Sequence, residues 1–145
     1  TYQSLVDASN LANFVVERES YDWNSIQNSL DQVKLRSTPS VYESMRRFIV
    51  ESPNSPLVVL AKDKVMKVGI TSKPIVDSNK GVGTVRFYKA VTDGTGKPIP
   101  GYPITHWQAT ITFDYEHKLR TDDDYINNPL GFNVTSYRVD QESQK

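Results

Sequence analysis

At 145 residues the chain is long enough for one domain that buries roughly 70% of its unfolded surface, and its 37% hydrophobic content is too rich for disorder. Seventeen basic residues balance seventeen acidic ones, which leaves no net field to draw a phosphate backbone and counts against direct nucleic-acid binding. The absence of cysteine excludes a disulfide framework, a thiolate nucleophile and a cysteine-type zinc site.

The first half reads helical. Across residues 4–18, Leu5, Ala8, Leu11, Ala12 and Val15 follow a 3.6-residue stripe that Phe14 widens. A second pattern opens at Tyr21-Asp22-Trp23 and carries Trp23, Ile26, Leu30 and Val33, ending before Ser37-Thr38-Pro39. Ser40 and Glu43 have the spacing of a capping box, ahead of an apolar stripe of Val41, Met45, Phe48 and Ile49. Ser55-Pro56 predicts a cap and a first-turn proline for one short helix through about Leu60. The chain opens at Thr1 within an already helical pattern, which predicts further sequence upstream; no run reaches the ~18 apolar residues that a membrane span needs.

Near Lys64 the period changes to two. Residues 65–76 predict a strand weakened by Gly69 and Pro74, and residues 81–91 a strand with Val85, Phe87 and Val91 on one face. The best strand spans 105–116, with Trp107, Ala109, Ile111, Phe113 and Tyr115 alternating with polar residues. In 132–139, Phe132 and Val134 fall on the opposite parity from Tyr137 and Val139, which predicts a bulge or a strand covered on both faces. Helices followed by strands predict an α+β domain over residues 1–145, its helices covering one face of a curved antiparallel sheet.

Candidate chemistry is sparse. His106 and His117 lie near opposite ends of one strand, too far apart to share a metal, and read as surface histidines. Asp122-Asp123-Asp124 lacks the oxygen-ligand spacing of a calcium loop and reads as the first turn of a helix capped by Thr121. Gly94-Thr95-Gly96-Lys97 has the composition of a phosphate loop without its spacing, and Asn133-Val134-Thr135 matches a glycosylation sequon, a short pattern that often arises by chance. The aromatic stripe of Trp107, Phe113 and Tyr115 reads as core; the same stripe could line a cavity, but its strand face supplies no inward acid or histidine. No catalytic, cofactor-binding or metal-binding residues are assigned.

Several segments, taken in order, resemble one family: Tyr21-Asp22-Trp23, Arg36-Ser37-Thr38-Pro39, Asn54-Ser55-Pro56-Leu57, Thr84-Val85-Arg86-Phe87, His106-Trp107-x-Ala109-Thr110, and above all Asn128-Pro129-Leu130-Gly131-Phe132 with Tyr137-Arg138-Val139-Asp140. They resemble the periplasmic domain of the eighth VirB component of bacterial type IV secretion systems. The resemblance implies a cone fold like that of nuclear transport factor two, with helices on a four-stranded sheet. It also implies a short cytoplasmic tail and a transmembrane helix upstream, an inner-membrane location, and a non-enzymatic role through self-association and contact with other channel components. A cone-fold enzyme or small-molecule binder using the sheet-helix cavity is the rival reading. Asn128, Pro129, Leu130 and Gly131 read either as an architectural turn, with positive φ at Gly131, or as a partner contact. Arg138 could serve a stabilising ion pair or a partner, and Leu11, Phe14 and Val15 are self-association candidates, with Phe14 expected near the surface of a monomer.

Overall fold

The computed structural model describes residues 1–143. Its elements are α1 (Tyr2–Glu19), α2 (Ile26–Leu35), α3 (Pro39–Glu51), α4 (Pro56–Val59), β1 (Val65–Ile70), β2 (Ile75–Asp77), β3 (Val82–Thr92), β4 (Thr105–Asp114), α5 (Asp122–Asn127) and β5 (Asn133–Glu142). The described strands form one antiparallel sheet in the order β1-β3-β4-β5, with β2 also pairing β3. The α+β expectation holds, and the sheet has a fifth, short strand where four were expected.

Local chemistry explains where the elements begin and end. Thr1 accepts from the Ser4 N–H at 3.1 Å and Ser4 Oγ donates to the Thr1 carbonyl, a reciprocal cap for α1. The second helix begins at Ile26, not at Tyr21. Asp22 is used in a turn, accepting from the Asn24 N–H at 2.9 Å, and Trp23 stays 41% exposed beneath Lys62. The expected Ser40–Glu43 box does not form: Thr38 is the N-cap residue and Pro39 opens α3. Glu43 is held instead by the Arg46 guanidinium at 2.7 and 2.9 Å, a charge-assisted pair that a neutral backbone donor cannot match. Ser55 caps α4 as its sequence predicts, accepting from the Leu57 N–H at 3.1 Å.

The strand expected over 65–76 is split. Pro74 has no N–H to give a ladder, so β1 ends at Ile70 and β2 resumes at Ile75 against the same neighbour, β3. The parity break in β5 is a bulge: Thr112 pairs Ser136 while Phe113 pairs Val134, leaving Thr135 as the extra residue. The Thr135 hydroxyl lies 2.7 Å from that of Thr112, which satisfies it inside the irregularity.

Helices and sheet close on a filled core: Leu11, Phe14 and Val15 of α1, Leu30 and Val33 of α2, Met45 and Ile49 of α3, and Val85, Phe87, Ala109, Ile111, Phe113 and Val134 of the sheet. Each of these side chains other than Ala109 contributes roughly 1.5–3 kcal/mol of burial. The placement of Phe14 corrects the expectation of a surface residue. It is 1% exposed, with its ring edge-on to Tyr137 at 5.6 Å, and Leu11 and Val15 are fully buried beside it.

Candidate interaction surface

The Asn128–Gly131 turn is built from the inside outward. Thr121 caps α5 by accepting from the Asp124 N–H at 3.1 Å, and the Asp124 carboxylate accepts from the Arg120 and Thr121 N–H groups. Those backbone donors hold its pKa below the usual carboxylate value. Asn128 is 4% exposed and its amide is fully used: Nδ2 donates to the Leu35 and Phe132 carbonyls, and Oδ1 accepts from the Phe132 N–H, each at 3.0 Å. That side chain pins the end of α2 to the start of β5. Gly131 has φ +69°, and a Cβ there would stand 3.2 Å from the Tyr115 carbonyl oxygen. Asn128 and Gly131 thus set the backbone of the turn. Pro129 and Leu130 form the outer lip, with Leu130 57% exposed beside Tyr125 at 57% and Ile126 at 74%.

Arg138 is not part of this group. It projects from the solvent side of β5, opposite Thr110, and pairs with Asp140 at 3.2 Å in an exposed position where such pairs contribute little.

Helix α1 reaches the same end of the molecule through a polar anchor. Asp7 is buried, accepting from Gln3 Nε2 at 2.8 Å, from Ser78 Oγ at 2.6 Å and from the Tyr115 hydroxyl, while Asn10 Nδ2 donates to that hydroxyl at 3.2 Å. Burial, and next the hydrogen bond to Asp7, push the Tyr115 pKa up to about 12. The carbonyl of the same tyrosine lies against Gly131, so one residue holds both α1 and the turn. With Leu11, Phe14 and Val15 turned inward, the outward face of α1 carries Tyr2, 83% exposed, Leu5, 54% exposed, and half-buried Val6. Sequence reasoning passed over Asp7. Its signal was position: it stands four and seven residues before Leu11 and Phe14, on the buried stripe.

The other candidates are dispersed. His117 Nδ1 lies 3.1 Å from Asn133 Oδ1, and the Asn133 amide donates to Asp114 at 3.0 Å, so the sequon asparagine is a buried strand residue. Among the described residues no three His, Cys, Asp or Glu side chains converge as a metal site, and no helix is long and apolar enough to cross a membrane. At the far end of α1, Glu19 accepts from the buried Tyr137 hydroxyl at 2.7 Å and pairs with Lys89 at 3.0 Å. Burial and the Glu19 charge raise the Tyr137 pKa well above its ordinary value. Beside this pair a cleft of about 250 Å³ is lined by Arg18, Ser40, Val41, Ser44, Thr135, Ser136 and Tyr137. The Arg18 Nε is buried without a hydrogen-bond partner among the described residues, while its guanidinium lies 3.8 Å from Glu19 and over the Tyr137 ring.

A filled core and an inward carboxylate closed off by its own donors define a helix-on-sheet α+β domain with an open antiparallel sheet. Residues 1–142 match the family model described as VirB8 protein, and the chain belongs to that family. It is 36% identical over 143 residues to the type IV secretion system protein virB8 of Brucella suis biovar 1, covering 98% of this chain and 58% of that protein. The chain thus spans rather more than half the length of that relative. The crystal structure of the soluble domain of TrwG, of the type IV secretion machinery of Bartonella grahamii, matches with a TM-score of 0.89 and 32% identity, over 100% of this chain and 99% of that one. TraE protein in complex with 4-(1H-pyrrol-1-yl)pyridine-2-carboxylic acid matches with a TM-score of 0.80 and 34% identity, over 94% and 96% of the two chains. The fold is the cone of nuclear transport factor two, with an open sheet.

Proposed function

We propose that this chain is the periplasmic, non-catalytic assembly domain of an inner-membrane component of a type IV secretion channel. It acts by associating with copies of itself and by touching other channel proteins. The observation that carries this reading is the apolar end of the wedge: Tyr2, Leu5 and Val6 on α1, with Tyr125, Ile126 and Leu130 on the α5 lip, held together through Tyr115. Exposed apolar groups near one another can mark a contact surface, and further ones stand elsewhere on the monomer, among them Val50, Val58, Val59 and Ile75. The self-association role first given to Leu11, Phe14 and Val15 passes to this outward face. The balanced charge of the chain fits protein partners better than nucleic acid.

The virB8 relative is longer than this chain, and membrane attachment would come from sequence outside these 145 residues. Fractionation of cells making the whole protein should place it in the inner membrane, where it co-purifies with channel components. Recovery as a free cytoplasmic protein would overturn the proposal.

A second reading attaches to the cleft beside Arg18. The Arg18 guanidinium, lining the cleft with five hydroxyl side chains, fits a small carboxylate, and the TraE relative is named as a complex with a heteroaromatic acid. Titration of the chain with 4-(1H-pyrrol-1-yl)pyridine-2-carboxylic acid, followed by amide shifts, should perturb residues 135–137, and Arg18→Met should remove the response. Shifts confined to another face would reject this cleft.

A further inference from the structure

The sheet has two open rims. At the β1 rim, Tyr21 exchanges backbone hydrogen bonds with Met66 at 3.0 and 2.9 Å, and the Thr71 N–H turns the other way, toward Arg86 on β3. Backbone groups alternate along a strand, so Val68 and Ile70 direct theirs outward, as Met66 does. At the β5 rim, Val134 is engaged by Arg36 and Thr38 at 2.7 and 3.0 Å. The Phe113 N–H points to Gly81, away from β5; with the register beyond the bulge, this leaves Tyr137, Val139 and Gln141 directing their groups outward. No described strand pairs with either rim beyond Met66 and Val134. Beside the first runs a cleft of about 390 Å³ that includes Tyr21, Met66, Lys67 and Val68, and beside the second lies the Arg18 cleft.

We infer that the β1 rim of one copy of this chain pairs with the β5 rim of the next, head to tail. This rests on the self-association reading above and adds a second contact to the apolar end proposed there. Three antiparallel ladders separate β1 from β5, so a neighbour set alongside in the same orientation presents its β5 antiparallel to β1. Setting Val68 opposite Val139 places Ile70 opposite Tyr137 and Lys67 opposite Asp140. All four apolar side chains pack on the helix-covered side, so the joined sheet keeps one continuous apolar face. Lys67 and Asp140 are both exposed on the solvent side and carry opposite charges. Sliding by two residues one way sets Lys67 against Arg138, a repelling pair. Sliding the other way sets Lys67 against Glu142, also acidic, but replaces Val139 with Gln141 opposite Val68 and so breaks the apolar match; Asp140 is paired with Arg138 at 3.2 Å much as Glu142 is with Arg86 at 2.8 Å, so here apolar matching decides. Charge and apolar matching thus select one register. Such a contact uses two different surfaces, and its repetition generates a ring or a filament.

The chain contains no cysteine, so introduced cysteines report cleanly. Lys67 and Asp140 would form a non-hydrogen-bonded pair with Cα atoms ~4.5 Å apart, within disulfide reach. Lys67→Cys and Asp140→Cys, each carried in the whole protein as the cell makes it and expressed together under oxidising conditions, should give a cross-linked heterodimer. Neither variant alone should cross-link, and the double variant should give a ladder of oligomers. Leu5→Cys serves as the companion probe. Leu5 cross-links to itself without any Lys67–Asp140 product would overturn the rim contact and leave self-association standing. No product from any of the three would overturn both. A stronger product from Lys67→Cys with Arg138→Cys would overturn the register.

Discussion

Tyr115 donates its phenolic proton to the buried carboxylate of Asp7, 108 positions away, and so ties the end of β4 to the first half of α1. Two further donors, Gln3 and Ser78, complete the shell around that carboxylate. An aspartate so enclosed is a fastening, and the α1 surface it orients is where the proposed contact lies.

Removing the fastening should therefore loosen α1. Tyr115→Phe is expected to destabilise the chain by ~1–3 kcal/mol, since Asp7 loses a donor inside the fold. Denaturant midpoints measured at neutral pH check this, and an unchanged midpoint would show that water replaces the hydroxyl without cost.

The same pair predicts a pH dependence. The folded Tyr115 pKa, about 12, lies above the ordinary value of 10.0, so between these values the native state holds more protons than the unfolded one. Its contribution is complete below pH ~10 and is lost as the pH rises toward ~12. Tyr137, also raised, acts in the same direction. Midpoints should fall from pH 9 to pH 12, and less steeply in Tyr115→Phe; parallel profiles would remove Tyr115 as a cause.

Gly131→Ala should cost about 1 kcal/mol or more, because a Cβ must adopt the left-handed region and press on the Tyr115 carbonyl. A melting temperature equal to that of the wild type would show that the turn relaxes freely.

Phe14→Arg should unfold the domain. The residue is 1% exposed, and a guanidinium there would be buried without a partner, a penalty of several kcal/mol. Leu5→Arg, on the opposite face of the same helix, should leave the melting temperature within about 2 °C while weakening self-association in sedimentation. A folded Phe14→Arg monomer would contradict the placement of that ring.

These variants also show what the sequence could and could not disclose. The alternation through Trp107 to Phe113 and the parity break before Tyr137 were readable, because each strand carries its own period and a bulge interrupts it. Thr121 and Ser55 were readable as caps because capping is settled within three residues. Phe14 was misplaced because helical periodicity defines an arc but not what covers its edge; that cover is Tyr137, far along the chain. Asp7 was passed over because an acid on an apolar stripe reads as exposed until its partners, Ser78 and Tyr115, are brought to it by the fold. The Ser40–Glu43 spacing misled for a different reason: Arg46 competes for the same carboxylate and wins on charge.

The most direct test of outer-surface function is substrate transfer by cells in which the parent gene is deleted and restored with Leu5→Arg plus Ile126→Arg. Both positions are more than half exposed, so the double variant should fold with a wild-type melting curve. The variant should reach normal membrane levels, with transfer reduced at least tenfold. Full transfer by a normally folded, normally abundant double variant would contradict it.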